Sequence, residues 1–407
     1  MENKITKIEA EEIKNSKGQA TIRVTVRAGG ASGSFAVPSG ASIGVHEAHV
    51  LPIEKAIENV ENIIAPALLG QDVADQRTID KIMLKLDGTN NKDKLGGNAM
   101  IGVSVACAKA AAKIKRIEVF EYLRTLAEIF PRSEQRGKPS RQFPRLFMNL
   151  LEGGKHTSNI LAFQEFLVVP DTNNIPEAVH IGIKIQDSLR EMILEKLGEE
   201  SIILGDEGGF ALKTSDIRAP LVFLTEAIKK NNLEKKVKLA LDVAASSFYE
   251  KGNYKIAGKN VSKEELMGLY ESLTAEFDIF SIEDPFHEED FESFAELKKK
   301  NSDLLIVGDD LTVSNSKLLK KAIEKESINA MIIKPNQIGT LTETLETMKL
   351  ARENDIELIV SHRGEETDDD FIADLAFAFG CFGLKAGSPQ KPERMVKYKR
   401  LIEISKT

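Results

Sequence analysis

Apolar and polar residues alternate strictly in "ATIRVTVRA", Ala20 to Ala28, the period-2 pattern of a strand buried on one face. After a Gly/Ser-rich stretch the period lengthens. In "IEKAIENVENIIAPAL" the residues Ile53, Ile57, Val60 and Ile63 or Ile64 recur at helical spacing, and "NAMIGVSVACAKAAAK" predicts an Ala-rich helix suited to close packing. These elements predict a β-then-α first domain over residues 1–130. The polar, basic and aperiodic "PRSEQRGKPSRQF", Pro131 to Phe143, predicts a linker to a second domain over residues 144–407.

Beyond the linker the chain changes to short apolar runs that each stop at a polar or charged residue. "KLALD" ends at Asp242, "FSIE" at Glu283, "LLIVGD" at Asp309, "AMIIK" at Lys334, "ELIVSH" at His362 and "CFGLK" at Lys385. These ends are 41, 26, 25, 28 and 23 residues apart, and all but the first interval suit one strand plus one helix. Helical stretches such as "SKLLKKAIEK" and "TLTETLETMKLAREN" fill the gaps. Repeated β/α units with nearly all-apolar strands imply a parallel sheet covered on its faces, and this many imply a barrel with its site at the C-terminal strand ends. An open doubly wound sheet is the alternative. It lacks support, since no GxGxxG follows a strand and no GxxxxGK[ST] occurs.

Composition narrows the choice of partner. With 407 residues, 42% of them hydrophobic, the chain is long enough for a barrel plus a smaller domain. The 55 basic residues against 63 acidic, a net charge of −8, provide no basic face for nucleic acid. Only Cys107 and Cys381 are present, with no CxxC pair, which fits a reducing cytoplasm. The opening "MENKITKIEA" is charged, and the longest apolar candidate, "AMIGVSVACA" from Ala99, is about half of what a bilayer needs, so a cytoplasmic protein off the membrane is expected.

Asp242, Glu283 and Asp309, at successive strand ends, would bring three carboxylates to one mouth. Singly, each is equally a helix N-cap or loop acid. Together they call for a cation, and hard oxygen donors without Cys or HxxxH favour Mg²⁺ over zinc. Lys334 and Lys385 follow on later strands. Burial and a nearby cation would both lower a lysine pKa, so one of them is a candidate general base, although a lysine at a strand end commonly faces solvent.

With these residues in view, the chain resembles the enolase family, the phosphopyruvate hydratases of glycolysis. The likeness runs in order through "NSKGQATIRVTV" from Asn15, "VPSGASIGVHEA" from Val37, "LDGTNNKDKLGGNAMIGVSVACAKAAA" from Leu86, "GGKHTSN", "FQEF", "GDEGGFA", "ALDVAASSFY", "SIEDPF", "VGDDLTVSN", "IIKPNQIGTLTETL", "SHR" and "LKAGS" from Leu384. The resemblance implies an α/β fold: an enolase-type (β/α)8 barrel with rearranged first units and a smaller α+β N-terminal domain. It implies Mg²⁺-dependent, reversible dehydration of 2-phosphoglycerate to phosphoenolpyruvate, with two Mg²⁺ per site. Asp242, Glu283 and Asp309 would hold the first ion, and Ser42 in the closing "SGASIG" loop the second. Lys334 would be the base, Glu207 the acid with help from Glu165, and His156 and His362 would flank the reacting end. Lys385 would lie by the substrate carboxylate, and Arg363, Gln164, Ser361 and Gly364 at the phosphate end. A homodimer is the family's usual assembly, with octamers also occurring.

Several positions depart from the family pattern. Where the family has "SHRSGET", this chain has Gly364 and Glu365 in place of serine and glycine, which removes a hydroxyl and adds a carboxylate. Glu152 stands for an asparagine before "GGKH", Leu212 for a proline and Ile43 for a threonine, and the family's "LRDGD…GKGV" segment after "GVHEA" is missing. These changes raise two alternatives: a paralogue using the same enolate chemistry on another phospho- or phosphono-carboxylate, and a non-catalytic binding protein of the same fold. The acids after Arg363 precede "FIADL" and are expected to favour the start of a helix.

Overall fold

Three antiparallel strands, β1 (Ile5–Lys14), β2 (Ala20–Ala28) and β3 (Ala31–Ala36), open the chain in the computed structural model, which describes residues 3–40, 46–127, 143–157 and 160–407. The alternation expected of β2 is the observed one: Ile22, Val24, Val26 and Ala28 are buried. They face the helix Gly97–Lys115, whose alanines allow the approach. The contact is close enough that a Cβ on Gly33 of β3 would stand 2.2 Å from the Ala106 carbonyl oxygen. The helical pattern from Ile53 to Leu68 is also present, but Val60–Ile64 widen into a π turn. Pro66 explains the widening, since its ring crowds the preceding turn and it has no N–H to return.

The second domain is a closed eight-stranded barrel made from β4 (Arg145–Glu152), β5 (Glu165–Pro170), β6 (Val237–Asp242), β10 (Ile279–Glu283), β11 (Leu305–Gly308), β12 (Ala330–Ile333), β13 (Glu357–Ser361) and β14 (Gly383–Lys385). All six runs read from the sequence are strands of this barrel. The long first interval is filled by a small antiparallel sheet of β7 (Tyr249–Glu250), β8 (Asn253–Ile256) and β9 (Lys259–Val261). Two strands, β4 and β5, complete the barrel, and β5 runs antiparallel to both of its neighbours. The interior is filled by Phe147, Leu167, Val169, Ala240, Val307, Ala330, Ile332 and Ile359, a packed core and not a channel.

The domains are joined by a buried polar knot. Asp80 of the first accepts from Ser104 Oγ at 2.7 Å and from the backbone N–H and hydroxyl of Thr342 at 2.9 and 2.6 Å. Thr342 lies in the first turn of the barrel helix Leu341–Glu353, where negative charge is favoured. No helix among the described residues is long and apolar enough to cross a membrane. Most of the expected linker, residues 131–142, lies outside the described residues, as do Ser42 and Ile43.

Candidate active site

One end of the barrel gathers nearly every residue singled out above. Glu152 ends β4, Glu165 begins β5, Asp242 ends β6 and Glu283 ends β10; pairing across the strands puts Glu152 opposite Glu165, Glu165 opposite Asp242, and Asp242 opposite Glu283. Asp309 follows β11, Lys334 follows β12, Ser361 ends β13 with His362 next, and Lys385 ends β14. The antiparallel direction of β5 is what brings its first residue, not its last, to this mouth. A narrow cleft opens here, lined by His156, Gln164, Glu165, Glu207, Asp242, Asp309, Lys334, Ser361, His362, Arg363, Gly364 and Lys385.

Lys385 is the electrostatic hub. Its Nζ donates to Asp242 Oδ2 and to both oxygens of Glu283 at 2.9 Å, with Glu165 Oε1 at 3.2 Å. Burial opposes its charge, but these carboxylates win and raise its pKa well above the ordinary value. Lys334 donates to Asp309 Oδ2, and its backbone N–H to Ser314 Oγ at 2.8 Å. Burial lowers the Lys334 pKa as expected, but among the protein's own groups the adjacent Asp309 anion more than offsets that, and the net direction is upward; the lowering expected from a nearby cation is a separate effect.

Positive charge remains short around these acids. Burial first, then Asp242, pushes the Glu283 carboxyl well above its usual range. Asp309 Oδ1 and Glu165 Oε2 are buried with no hydrogen-bond partner. A donor set of hard carboxylate oxygens with orphaned lone pairs fits a hard divalent cation. Among the described residues, the groups close enough to share one ion are Asp284–Asp309–Asp310 and His156–Glu165–Glu207. Asp242, Glu283 and Asp309 are not grouped in that way, because Lys385 draws the first two carboxylates and Lys334 the third.

Across the cleft, Glu207 rides on the Gly205–Gly209 turn and lies 3.3 Å from His362 Nε2, 3.7 Å from His156 Nε2 and 3.2 Å from Asn149 Nδ2. Burial favours its neutral form, but the imidazoles and Arg394 outweigh that and hold the carboxyl well below the usual range. Burial likewise opposes charge on His156, yet Glu207 and Glu165 raise it to about 9. His362 is held down to about 3, by burial and by Arg394 against the pull of Glu207. Glu165 rises to about 7 through burial and Glu207, so the cluster retains protons at neutral pH.

Sequence reasoning missed several supporting residues. Glu47 takes a bidentate pair from Arg363 at 3.0 and 3.2 Å, with Asn336 Oδ1 at 3.1 Å from the same guanidinium. Fully buried Arg394 donates to the Arg363 and Gly364 carbonyls at 2.6 and 2.7 Å and meets His362 Nδ1, which shapes the whole His362–Gly364 loop. Gln164 lies by Asp242 Oδ2 at 3.4 Å. His46, His49 and His180 are exposed, His287 is half-buried and Cys107 is buried in its helix.

Comparison with known proteins decides what this mouth belongs to. The model of the enolase N-terminal domain matches residues 5–123, and that of the enolase C-terminal TIM barrel domain matches residues 140–407. A protein named enolase from Methanocaldococcus jannaschii is 45% identical over 98% of this chain and 94% of its own length. Others from Methanopyrus kandleri and Thermococcus kodakarensis are each 41% identical, over 98% and 99% of this chain and 95% of their own. The chain belongs to the enolase family.

The family's departures can now be placed. Glu365 faces out of the cleft: its carboxylate is 3.9 Å from Lys17 of the first domain, and its backbone pairs with Ser39 in both directions at 2.9 and 3.1 Å. Glu152 is fully buried behind the Glu207 turn. Gly364 does line the cleft, and Leu212 is buried. Of the acids after Arg363, Asp369 accepts from Phe371 at the start of the helix Phe371–Ala378, while Glu366 turns inward to Lys397 at 3.5 Å.

Proposed function

We propose that this protein is a hydro-lyase that dehydrates 2-phosphoglycerate reversibly to phosphoenolpyruvate, the phosphopyruvate hydratase step of glycolysis and gluconeogenesis. The observation that carries this reading is one cleft lined by two acid–base groups, Lys334 and Glu207, and by carboxylates short of positive charge. Lys334 takes the α-proton, and Glu207 returns a proton to the departing hydroxide. Glu165 supports Glu207, since their shared cluster holds protons that one carboxyl alone would lose. Lys385 balances the substrate carboxylate. Arg363 and Gln164 receive the phosphate beside Ser361 and Gly364, while His156 and His362 wall the reacting end and exclude water.

Asp242, Glu283 and Asp309 would hold a divalent cation, proposed as Mg²⁺, whose charge would stabilise the substrate carboxylate as negative charge builds on it and weaken the hold of Asp309 on the Lys334 proton. Ser42 is proposed as a ligand of a second Mg²⁺. A homodimer acting in the cytoplasm on a small phosphorylated carboxylate, apart from nucleic acid and membrane, completes the proposal; an octamer is the other assembly open to it. Residues 1–130 and 144–407 would be its two domains.

A different phospho- or phosphono-carboxylate is not favoured. Both added carboxylates, Glu152 and Glu365, are absent from the cleft lining, and whole-chain identity of 41–45% to proteins named enolase supports the common substrate. Following the α-proton of 2-phosphoglycerate by NMR in D₂O tests the base chemistry: Mg²⁺-dependent exchange for deuterium is expected, and a retained proton during prolonged incubation would contradict it. Because the Glu365 ion pair is partly exposed and worth about 0–1 kcal/mol, Glu365→Ala is expected to change KM by less than about threefold. A tenfold fall in KM would mean that the carboxylate repels the substrate.

A further inference from the structure

Behind the Glu207 turn lies a carboxyl that the mechanism above does not use. Glu152 closes β4 with no solvent exposure, and its two oxygens take different backbone donors of the turn: Oε1 accepts from Gly209 N–H, and Oε2 from Glu207 N–H at 3.3 Å. The turn is shaped around this side chain. A Cβ on Gly205 would stand 2.0 Å from Glu152 Oε2, and one on Gly209 would stand 2.9 Å from Oε1. The same turn carries the Glu207 side chain toward His362 and Asn149.

A segment with glycines at 205, 208 and 209 has little stiffness of its own. Its rigidity has to come from neighbours, and a misplacement of about 1 Å at an acid–base group can cost a hundredfold in rate. We propose that Glu152 is a positioning residue for Glu207, clamping the Glu207 and Gly209 N–H groups with its two oxygens so that the Glu207 carboxyl is held at His362. This rests on the reading of Glu207 as the general acid. Burial, and then the Glu207 charge, lift the Glu152 carboxyl to about 8, while the two backbone N–H groups of the turn favour its charged form.

An amide keeps the size of this group but offers one acceptor oxygen, its NH₂ facing the other N–H as a second donor. Leucine offers none. Glu152→Gln is therefore expected to lower kcat about tenfold and Glu152→Leu about a hundredfold, with KM within about threefold in both. Amide exchange in the peptide covering residues 203–211 should quicken in the same order, while the barrel strands keep wild-type protection. A merely structural role would lower the melting temperature but leave kcat of the folded protein unchanged. Values of kcat within twofold of wild type in these variants, or unchanged exchange in that peptide, would overturn the proposal. If the leucine variant does not fold, the glutamine variant decides by the same two measurements. Lack of turnover of 2-phosphoglycerate by the wild type would refute the proposed function instead, and amide exchange would still judge the clamp.

Discussion

Lys334→Ala is expected to lose turnover of 2-phosphoglycerate by about a thousandfold or more, the upper range for removing a general base, while circular dichroism at 25 °C and divalent-cation binding stay near wild type. The amine sits at the end of β12, fixed from both sides: its backbone N–H is bound to Ser314, and its Nζ is bound to Asp309. Alanine removes the proton acceptor without touching Asp242 or Glu283. KM should change little, because the lysine is assigned to proton removal and not to phosphate or carboxylate binding. Steady-state kinetics, with α-proton exchange as an independent readout, checks this. A variant retaining a tenth of wild-type kcat would show that another group takes the proton.

Lys385→Met should have the largest effect on stability. Methionine is close to lysine in length and removes the charge that Asp242, Glu283 and Glu165 share. Breaking a buried ion cluster by removing one partner costs about 3–5 kcal/mol, which for a domain of this size lowers the melting temperature by about 10 °C. The deficit should shrink as pH falls, since protonating the carboxylates removes the charge that Lys385 balances. Mg²⁺ should raise the melting temperature of this variant more than that of wild type. Calorimetry across pH, with and without Mg²⁺, measures both effects. A variant melting within 2 °C of wild type in chelator would contradict the view that these acids lack positive charge.

Much of the barrel was legible because parallel strands buried on both faces read as unbroken apolar runs, and because a strand that delivers a side chain to the mouth ends on it. Asp242, Glu283, Lys334 and Lys385 were found by that rule. The rule fails for β5, which runs the other way, so Glu165 begins its strand and was reached only by resemblance. It also fails for β4, where Asn149 interrupts the apolar run. Glu47 and Arg394 reach the site across long stretches of chain, to Arg363 and to the His362–Gly364 loop, and no local pattern marks such contacts. Charge was the least legible feature. The carboxylate that Glu365 adds turns toward Lys17 of the first domain, and Asp309 raises the Lys334 pKa against the pull of burial; both partners are tertiary, and no local pattern marks them.

The most direct test is the absorbance of phosphoenolpyruvate formed from 2-phosphoglycerate by the purified protein, with Mg²⁺ and after chelation. Steady Mg²⁺-dependent formation, falling to background in chelator and returning when Mg²⁺ is added, is the predicted result. No formation by folded protein that still binds Mg²⁺ would contradict the account.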